Sequence, residues 1–232
     1  MGMGRAVCGR REARAMLRLQ PPIRRGQPLR LLCIGAHSDD IEIGCGGTIL
    51  TWLKSYPTVE VTWVVLNGVA KRGVEARGSA RALLKGAARS RIVLGQFRDG
   101  FLPAQYLKAK AFFESLKVGD EPDIVLTHYL HDRHQDHRLA AELTWNTWRN
   151  HLIMEYEIPK YEGDLAQPNG YIPIQDKLAL RKVEHLERHF ASQRSKDWFL
   201  ADNFLALMRI RGIECRAPSG YAEAFHVRKF IL

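Results

Sequence analysis

Cysteine is scarce, four in 232 residues, and Cys8, Cys33, Cys45 and Cys215 form neither a C-x-x-C pair nor a regular spacing. That excludes a disulfide framework. Cys33 lies in an apolar run and Cys45 between glycines, a setting for small, buried, reduced thiols; a cytoplasmic location is the expectation that follows. No stretch approaches the roughly 18 consecutive apolar residues of a membrane-spanning helix, and the first thirty residues lack the apolar centre of a secretory signal. Walker A and G-x-S-x-G elements are absent. Gly44, Gly46 and Gly47 do not make a dinucleotide fingerprint, so close packing or a cradle at a helix start is their expected use.

Charge is abundant but concentrated. The formal net charge is +10, yet residues 1–30 hold Arg5, Arg10, Arg11, Arg14, Arg18, Arg24, Arg25 and Arg30 against Glu12 alone, which leaves +3 on the remaining 202 residues. A polyanion-binding body would spread Lys and Arg over its folded surface, so no nucleic-acid partner is expected. Residues 1–29 read as a basic, flexible extension and residues 30–232 as one domain. The extension is Arg-rich and acid-poor like a transit peptide, but it contains no serine.

With 46% hydrophobic and 26% charged residues the chain is neither disordered nor collagenous. Its apolar runs 31–36 (LLCIGA), 59–67, 91–97 and 122–128 read as strands. Between them, helical patterns cover 44–55, 75–87, 108–117 and 134–149. This alternation predicts an α/β fold: a Rossmann-like three-layer sandwich with a mainly parallel sheet and helices on both faces. Beyond residue 150 come a Gly/Pro/Asp-rich loop (162–170), helices over about 176–191 and 198–210, and a terminal strand, read as an added layer and rim.

Two polar clusters leave the ends of predicted buried strands, where ligands sit in such sheets. The first is His37-Ser38-Asp39-Asp40. The second runs from Thr127 to His137 and holds four of the nine histidines, His128, His131, His134 and His137. Imidazole and carboxylate together suit zinc, and three protein ligands with one open position mark a catalytic site. Adjacent aspartates point in different directions, so one can hold an ion with His37 while the other faces its water. His134 and His137, three apart at a helix start, share one face.

AHSDD followed by IEIGCGGT, with HQDH preceded by Asp132 in the later loop, resembles the PIG-L/LmbE family of metal-dependent deacetylases, whose usual motifs are AHPDD and H-x-D-H. The resemblance spans roughly residues 30–150 by motif order and extends loosely to Arg77, Asp99-Gly100 and Ser192-Gln193. It implies that His37, Asp40 and His137 ligate Zn2+ or another divalent transition metal, and that Asp39 is the general base. His134 would stabilise the oxyanion or donate a proton, Asp136 would orient one of the two histidines, and Arg77 would face substrate. Ser38 stands where the family has proline, and no acidic residue follows Arg77 by two or three positions.

Other residues have plainer uses. His128, His131 and Asp132 are expected in loop structure or as hydrogen-bond partners of the ligands. Trp145 and Trp148 sit at core-packing spacing. Glu155, Tyr156 and Glu157 could form a substrate rim, with Tyr156 the candidate, or an edge strand. The activity implied is removal of an acetyl group from a small-molecule N-acetylated amino sugar or sugar conjugate, with homo-oligomerisation left open. Two alternatives stand beside it: a metal-dependent phosphoesterase, and a non-catalytic binding module with a basic tail.

Overall fold

The computed structural model describes residues 16–20, 26–119 and 121–231. Of the basic extension expected over 1–29, residues 1–15 and 21–25 lie outside the described residues, as does Cys8. The described residues build a seven-stranded sheet and six α-helices: β1 (Leu29–Gly35), α1 (Asp40–Ser55), β2 (Val59–Val65), α2 (Ala70–Leu83), β3 (Arg89–Leu94), α3 (Tyr106–Ser115), β4 (Ile124–His128), α4 (Gln135–Thr147), β5 (Leu152–Tyr156), β6 (Gly170–Pro173), α5 (Asp176–His189), α6 (Ala201–Glu214) and β7 (Ala222–Val227).

Spatial order is β3-β2-β1-β4-β5-β7-β6. The first five strands are parallel, and β7 and β6 continue the sheet antiparallel. The expected α/β architecture is therefore present. The chain winds outward from β1 to β3, then crosses to β4 on the other side of β1, so β1 and β4 flank the topological switch point.

Strand β1 shows why the apolar run is continuous. Leu31 and Cys33 face one core together with residues of α1, α2, α5 and α6, whereas Leu32 and Ile34 face a second core with residues of α3 and α4. A strand buried on both sides has no place for alternating polar residues.

Helix α1 is broken at Cys45, whose φ of −146° and ψ of 16° leave the helical region. The break is sealed from the other end of the chain. Glu223 on β7 accepts the amides of Gly47 and Thr48 at 2.8 and 2.6 Å, and Lys182 on α5 donates to the Ile43 carbonyl and to Glu223 at 2.6 and 2.7 Å. A carboxylate at this internal helix start satisfies orphan amides, and the lysine satisfies a carbonyl ahead of the break. The last third thus holds the element that begins in the first polar cluster.

Several boundaries differ from the sequence reading. Helix α2 starts at Ala70, whose φ of 49° is left-handed, five residues before the expected start. Strand β6 follows the Gly/Pro/Asp-rich loop, where Asn169 ties the chain to β7 by accepting the Val227 amide at 2.8 Å. Residues 155–157 are neither rim nor edge, because β5 lies between β4 and β7. Trp148 is buried in the α3–α4 core as expected, and Trp145 donates its indole N–H to Glu155 at 2.7 Å.

Tyr156 is fully buried, not a substrate contact: its hydroxyl donates to the Ile34 carbonyl at 2.6 Å and its ring covers Gly44. A Cβ on Gly44 would lie 2.1 Å from a ring carbon that the hydroxyl bond keeps in place. Gly44→Ala is expected to cost about 1–3 kcal/mol or more by overpacking, read as a lower urea midpoint; an unchanged midpoint would contradict this packing.

Candidate metal and acid–base site

The two polar clusters meet. Leu31, Leu32 and Cys33 of β1 pair directly with Ile124, Val125 and Leu126 of β4, so the loops leaving their carboxyl ends are neighbours. His37 Nδ1 lies 3.1 Å from His137 Nε2 across one hundred positions of sequence. Asp40 Oδ2 is 3.3 Å from the first nitrogen and 3.5 Å from the second. Ligands about 2.0–2.1 Å from a tetrahedral zinc would stand about 3.3–3.4 Å apart, so this donor triangle matches in size and chemistry.

Hydrogen bonds distinguish these nitrogens from the other imidazoles. Asp132 Oδ2 lies 3.0 Å from His137 Nδ1, which places the proton there and leaves Nε2 with its lone pair. His37 Nε2 lies 3.0 Å from Asp99 Oδ1 and 3.4 Å from Asp136 Oδ2 without hydrogen-bond geometry, and its Nδ1 is the nitrogen turned to His137 Nε2 and Asp40. His128, the last residue of β4, accepts the Ala36 amide on Nε2 at 2.9 Å, so that lone pair is committed even though its ring stacks on His137 at 4.0 Å. His134 accepts the Asp136 amide on Nδ1 at 3.3 Å as the cap of α4, which leaves Nε2 as a donor. His131 is exposed.

Three other sets of donor atoms also cluster: His37 with His134 and His137, Asp40 with His128 and His137, and His37 with Asp99 and Asp136. The first two include a histidine whose ring nitrogen accepts a backbone amide, and in the third Asp99 is tied to Arg72 and Asp136 to the Gly100 and Leu102 amides. His37, Asp40 and His137 could hold a divalent ion at the cost of one hydrogen bond, the one between the two rings, while Asp40 Oδ2 also accepts the His37 amide at 2.6 Å.

Burial and neighbouring charge separate the two aspartates. Burial, reinforced by the adjacent Asp40, raises the Asp39 pKa above the ordinary carboxylate value; Arg72 opposes the rise without cancelling it. Burial would also raise Asp40, but His137, His37 and His128 outweigh it and hold that carboxyl well below the usual range. Neighbouring acids pushed in opposite directions suit different roles. Burial and the nearby His128 push His137 down to about 3, whereas at His37 the attraction of Asp40, Asp136 and Asp99 overcomes burial and raises the pKa well above 6.5. Burial and the charge of His37 lower His134.

The arginine at this centre is Arg72, not Arg77. Its guanidinium donates to Asp39 Oδ1 at 3.1 Å, to Asp99 Oδ2 at 2.7 Å and to Ser38 Oγ at 3.1 Å. Arg77 is exposed on the same helix. Five residues turn an α-helix through about 500°, so the two arginines point to different sides. Arg72 lies on the face of α2 turned to the first polar cluster. Asp136 differs too: it accepts the Gly100 and Leu102 amides at 2.7 and 3.0 Å and faces His37, not His134. Asp132, not Asp136, serves His137.

Glu42 completes the buried acids. Burial lifts its pKa to about 8, partly offset by the bond from Ser79, whose hydroxyl also meets His185 Nε2 at 2.7 Å. Nothing in the sequence marked Arg72 apart from the other arginines of α2. For Asp132 the signal was its place five residues before His137, in the same His-rich run.

The family described as PIG-L, GlcNAc-PI de-N-acetylase, matches residues 32–148, which contain both clusters. Among solved structures, N,N'-diacetylchitobiose deacetylase from Pyrococcus horikoshii superposes with a TM-score of 0.63 at 20% identity, covering 86% of this chain and 84% of that one. A zinc-inhibited form of teicoplanin deacetylase gives 0.65 at 15%, covering 85% and 97%. The 4-carboxy-2-hydroxymuconate hydratase GalB from Pseudomonas putida KT2440 gives 0.65 at 16%, covering 88% and 97%. At these identities what is shared is the fold.

Because the surrounding carboxylates raise the proton affinity of His37, a proton competes with an ion for this ring, so divalent ion binding should strengthen as pH rises. It should release roughly one proton per ion. Calorimetry of zinc binding in buffers of different ionisation enthalpy measures this; pH-independent affinity without proton release would exclude His37 Nδ1 as a ligand.

Proposed function

The chain belongs to the PIG-L family, and from this membership and the donor triangle of His37, Asp40 and His137 we propose that it is a zinc-dependent hydrolase that removes an acetyl group from an N-acetylated amino sugar or sugar conjugate. The observation that carries the reading is the convergence of two imidazole nitrogens and a carboxylate oxygen at ligand spacing beside a buried aspartate of raised pKa. The deacetylases among the structural neighbours support the substrate class, and the hydratase among them is the reason the chemistry is argued from side chains and not from the fold.

Zinc held by His37, Asp40 and His137 would supply a Lewis acid for the amide carbonyl and acidify a water. Asp39 is the base. Its Oδ1 is held by Arg72, so Oδ2 is the oxygen that takes the proton of the attacking water and returns it to the departing nitrogen. A raised pKa suits both halves of that exchange.

His134 acts through Nε2, the nitrogen its capping bond leaves as a donor. Its ring stands edge-on to His37 at a centroid distance of 4.8 Å, where an N–H can meet the oxygen on which negative charge develops. A lowered pKa makes it a neutral donor at pH 7. Arg72 positions Asp39 while Asp99 and Ser38 position Arg72. Asp136 keeps His37 in register with the Gly100–Leu102 turn. The amide and water are converted to acetate and a free amine.

Asp39→Asn should retain zinc and lose about 10²–10⁴-fold in turnover, whereas His137→Ala should lose the ion itself. Acetate release from a panel of N-acetylated sugars, with metal content measured on the same preparations, tests both; full activity in a chelated, metal-free preparation rejects the reading. Arg72→Ala should depress turnover and Arg77→Ala leave it near wild type, and equal effects would remove Arg72 from its assigned place.

A further inference from the structure

Lys160 lies beyond the segment that matches the family, in the connection after β5, yet it reaches the second polar cluster. Its side chain is only 8% exposed. The ammonium group donates to Asp132 Oδ2 at 3.0 Å, to both oxygens of Asp164 at 2.7 Å and to the Ile158 carbonyl at 3.4 Å. Asp164 in turn accepts the Arg133 amide at 2.6 Å. A buried lysine between two buried carboxylates costs too much desolvation to serve as a general stabiliser. Its position decides what it does.

Asp132 Oδ2 is shared between Lys160 Nζ and His137 Nδ1, while Asp132 Oδ1 accepts the His134 amide at 2.8 Å. One carboxylate therefore sets the tautomer of His137 and the backbone position of His134, and the lysine sets the carboxylate. Without the ammonium, Asp132 and Asp164 would be two buried anions in one small space. Asp132 Oδ2 would lose the donor that fixes it and be free to turn away from His137 Nδ1.

The lysine is itself anchored from the last third of the chain. On α6, Arg211 forks onto Glu157 at 2.9 and 2.7 Å and bonds the Ala166 carbonyl at 3.0 Å, pinning both ends of the 157–166 connection that carries Lys160 and Asp164. Arg211 thus holds the ends of the connection, and from Lys160 within it ion pairs and hydrogen bonds run on to Asp132 and His137.

We propose that Lys160 is a positioning residue for the divalent ion: by fixing Asp132 Oδ2 against His137 Nδ1, it keeps that ring oriented with Nε2 toward the ion. The inference rests on the ligand set given under the proposed function. It predicts that a residue far from the family motifs controls ion affinity.

The test is zinc affinity of the full chain, measured by competition with a chromogenic chelator, alongside the urea midpoint of the ion-free protein. Lys160→Met should weaken zinc binding about 10–100-fold, the range typical for loss of an outer partner of a ligating histidine. Lys160→Met leaves two carboxylates without their shared cation, so the double variant K160M/D164N removes one of those charges. It should recover stability in the ion-free state while its zinc affinity stays low. Wild-type affinity in Lys160→Met, or affinity that recovers together with stability in the double variant, overturns the inference and leaves Lys160 a structural residue. Failure of the wild-type chain to bind zinc at all is a different result, which removes the proposed function and this inference with it.

Discussion

Direct parallel pairing of β1 with β4 is the constraint on which the site depends. These strands are distant in sequence and adjacent in the sheet because the chain reverses its direction of winding between them, and at such a point the two following loops diverge above the sheet and leave a crevice. His37, Asp39 and Asp40 come from one loop, His134 and His137 from the other. Had the fourth strand been added beside β3, the same residues would stand three strands apart, too far to share an ion.

Bringing so many ionisable groups into a buried crevice creates an electrostatic problem that the surrounding structure resolves group by group. Asp40 is stabilised as an anion by imidazoles, Asp136 by the Gly100 and Leu102 amides, and Asp132 by Lys160 and the His134 amide. At Asp39 the charges of Arg72 and His37 do not offset burial and a neighbouring negative charge, so its proton affinity rises. Functional asymmetry between adjacent aspartates therefore comes from unequal numbers of partners, not from residue type.

Residues beyond 150 contribute more than a cover. Glu223 and Lys182 seal the break in α1, the helix whose first residue is Asp40, and Glu155 accepts the Leu130 amide, the Trp145 indole and the Arg228 guanidinium beneath the second loop. Each is a buried carboxylate whose cost is recovered only when several donors meet it at once. This arrangement accounts for Tyr156 and its neighbours: chemistry-bearing residues in an apolar strand were consistent with a rim when read alone, and three-dimensional packing turned them inward. Strand β5 is internal because β7 returns antiparallel beside it, a pairing that no local pattern encodes.

What could be read from the amino-acid order was whatever depends on period and proximity. Continuous apolar runs required strands buried on both faces, their alternation with helices required a parallel sheet, and the His- and Asp-rich motifs at strand ends marked where an ion could be held. The choice among similar side chains depended on tertiary contacts. Arg72 rather than Arg77 reaches Asp39 because it lies on the face of α2 turned to the site, and Asp132 rather than Asp136 serves His137. Free imidazole nitrogens are distinguished from committed ones by hydrogen bonds from distant backbone and carboxylate groups. A motif can specify which donor atoms are present; which lone pairs remain unspent is decided by partners that only folding brings within 3 Å.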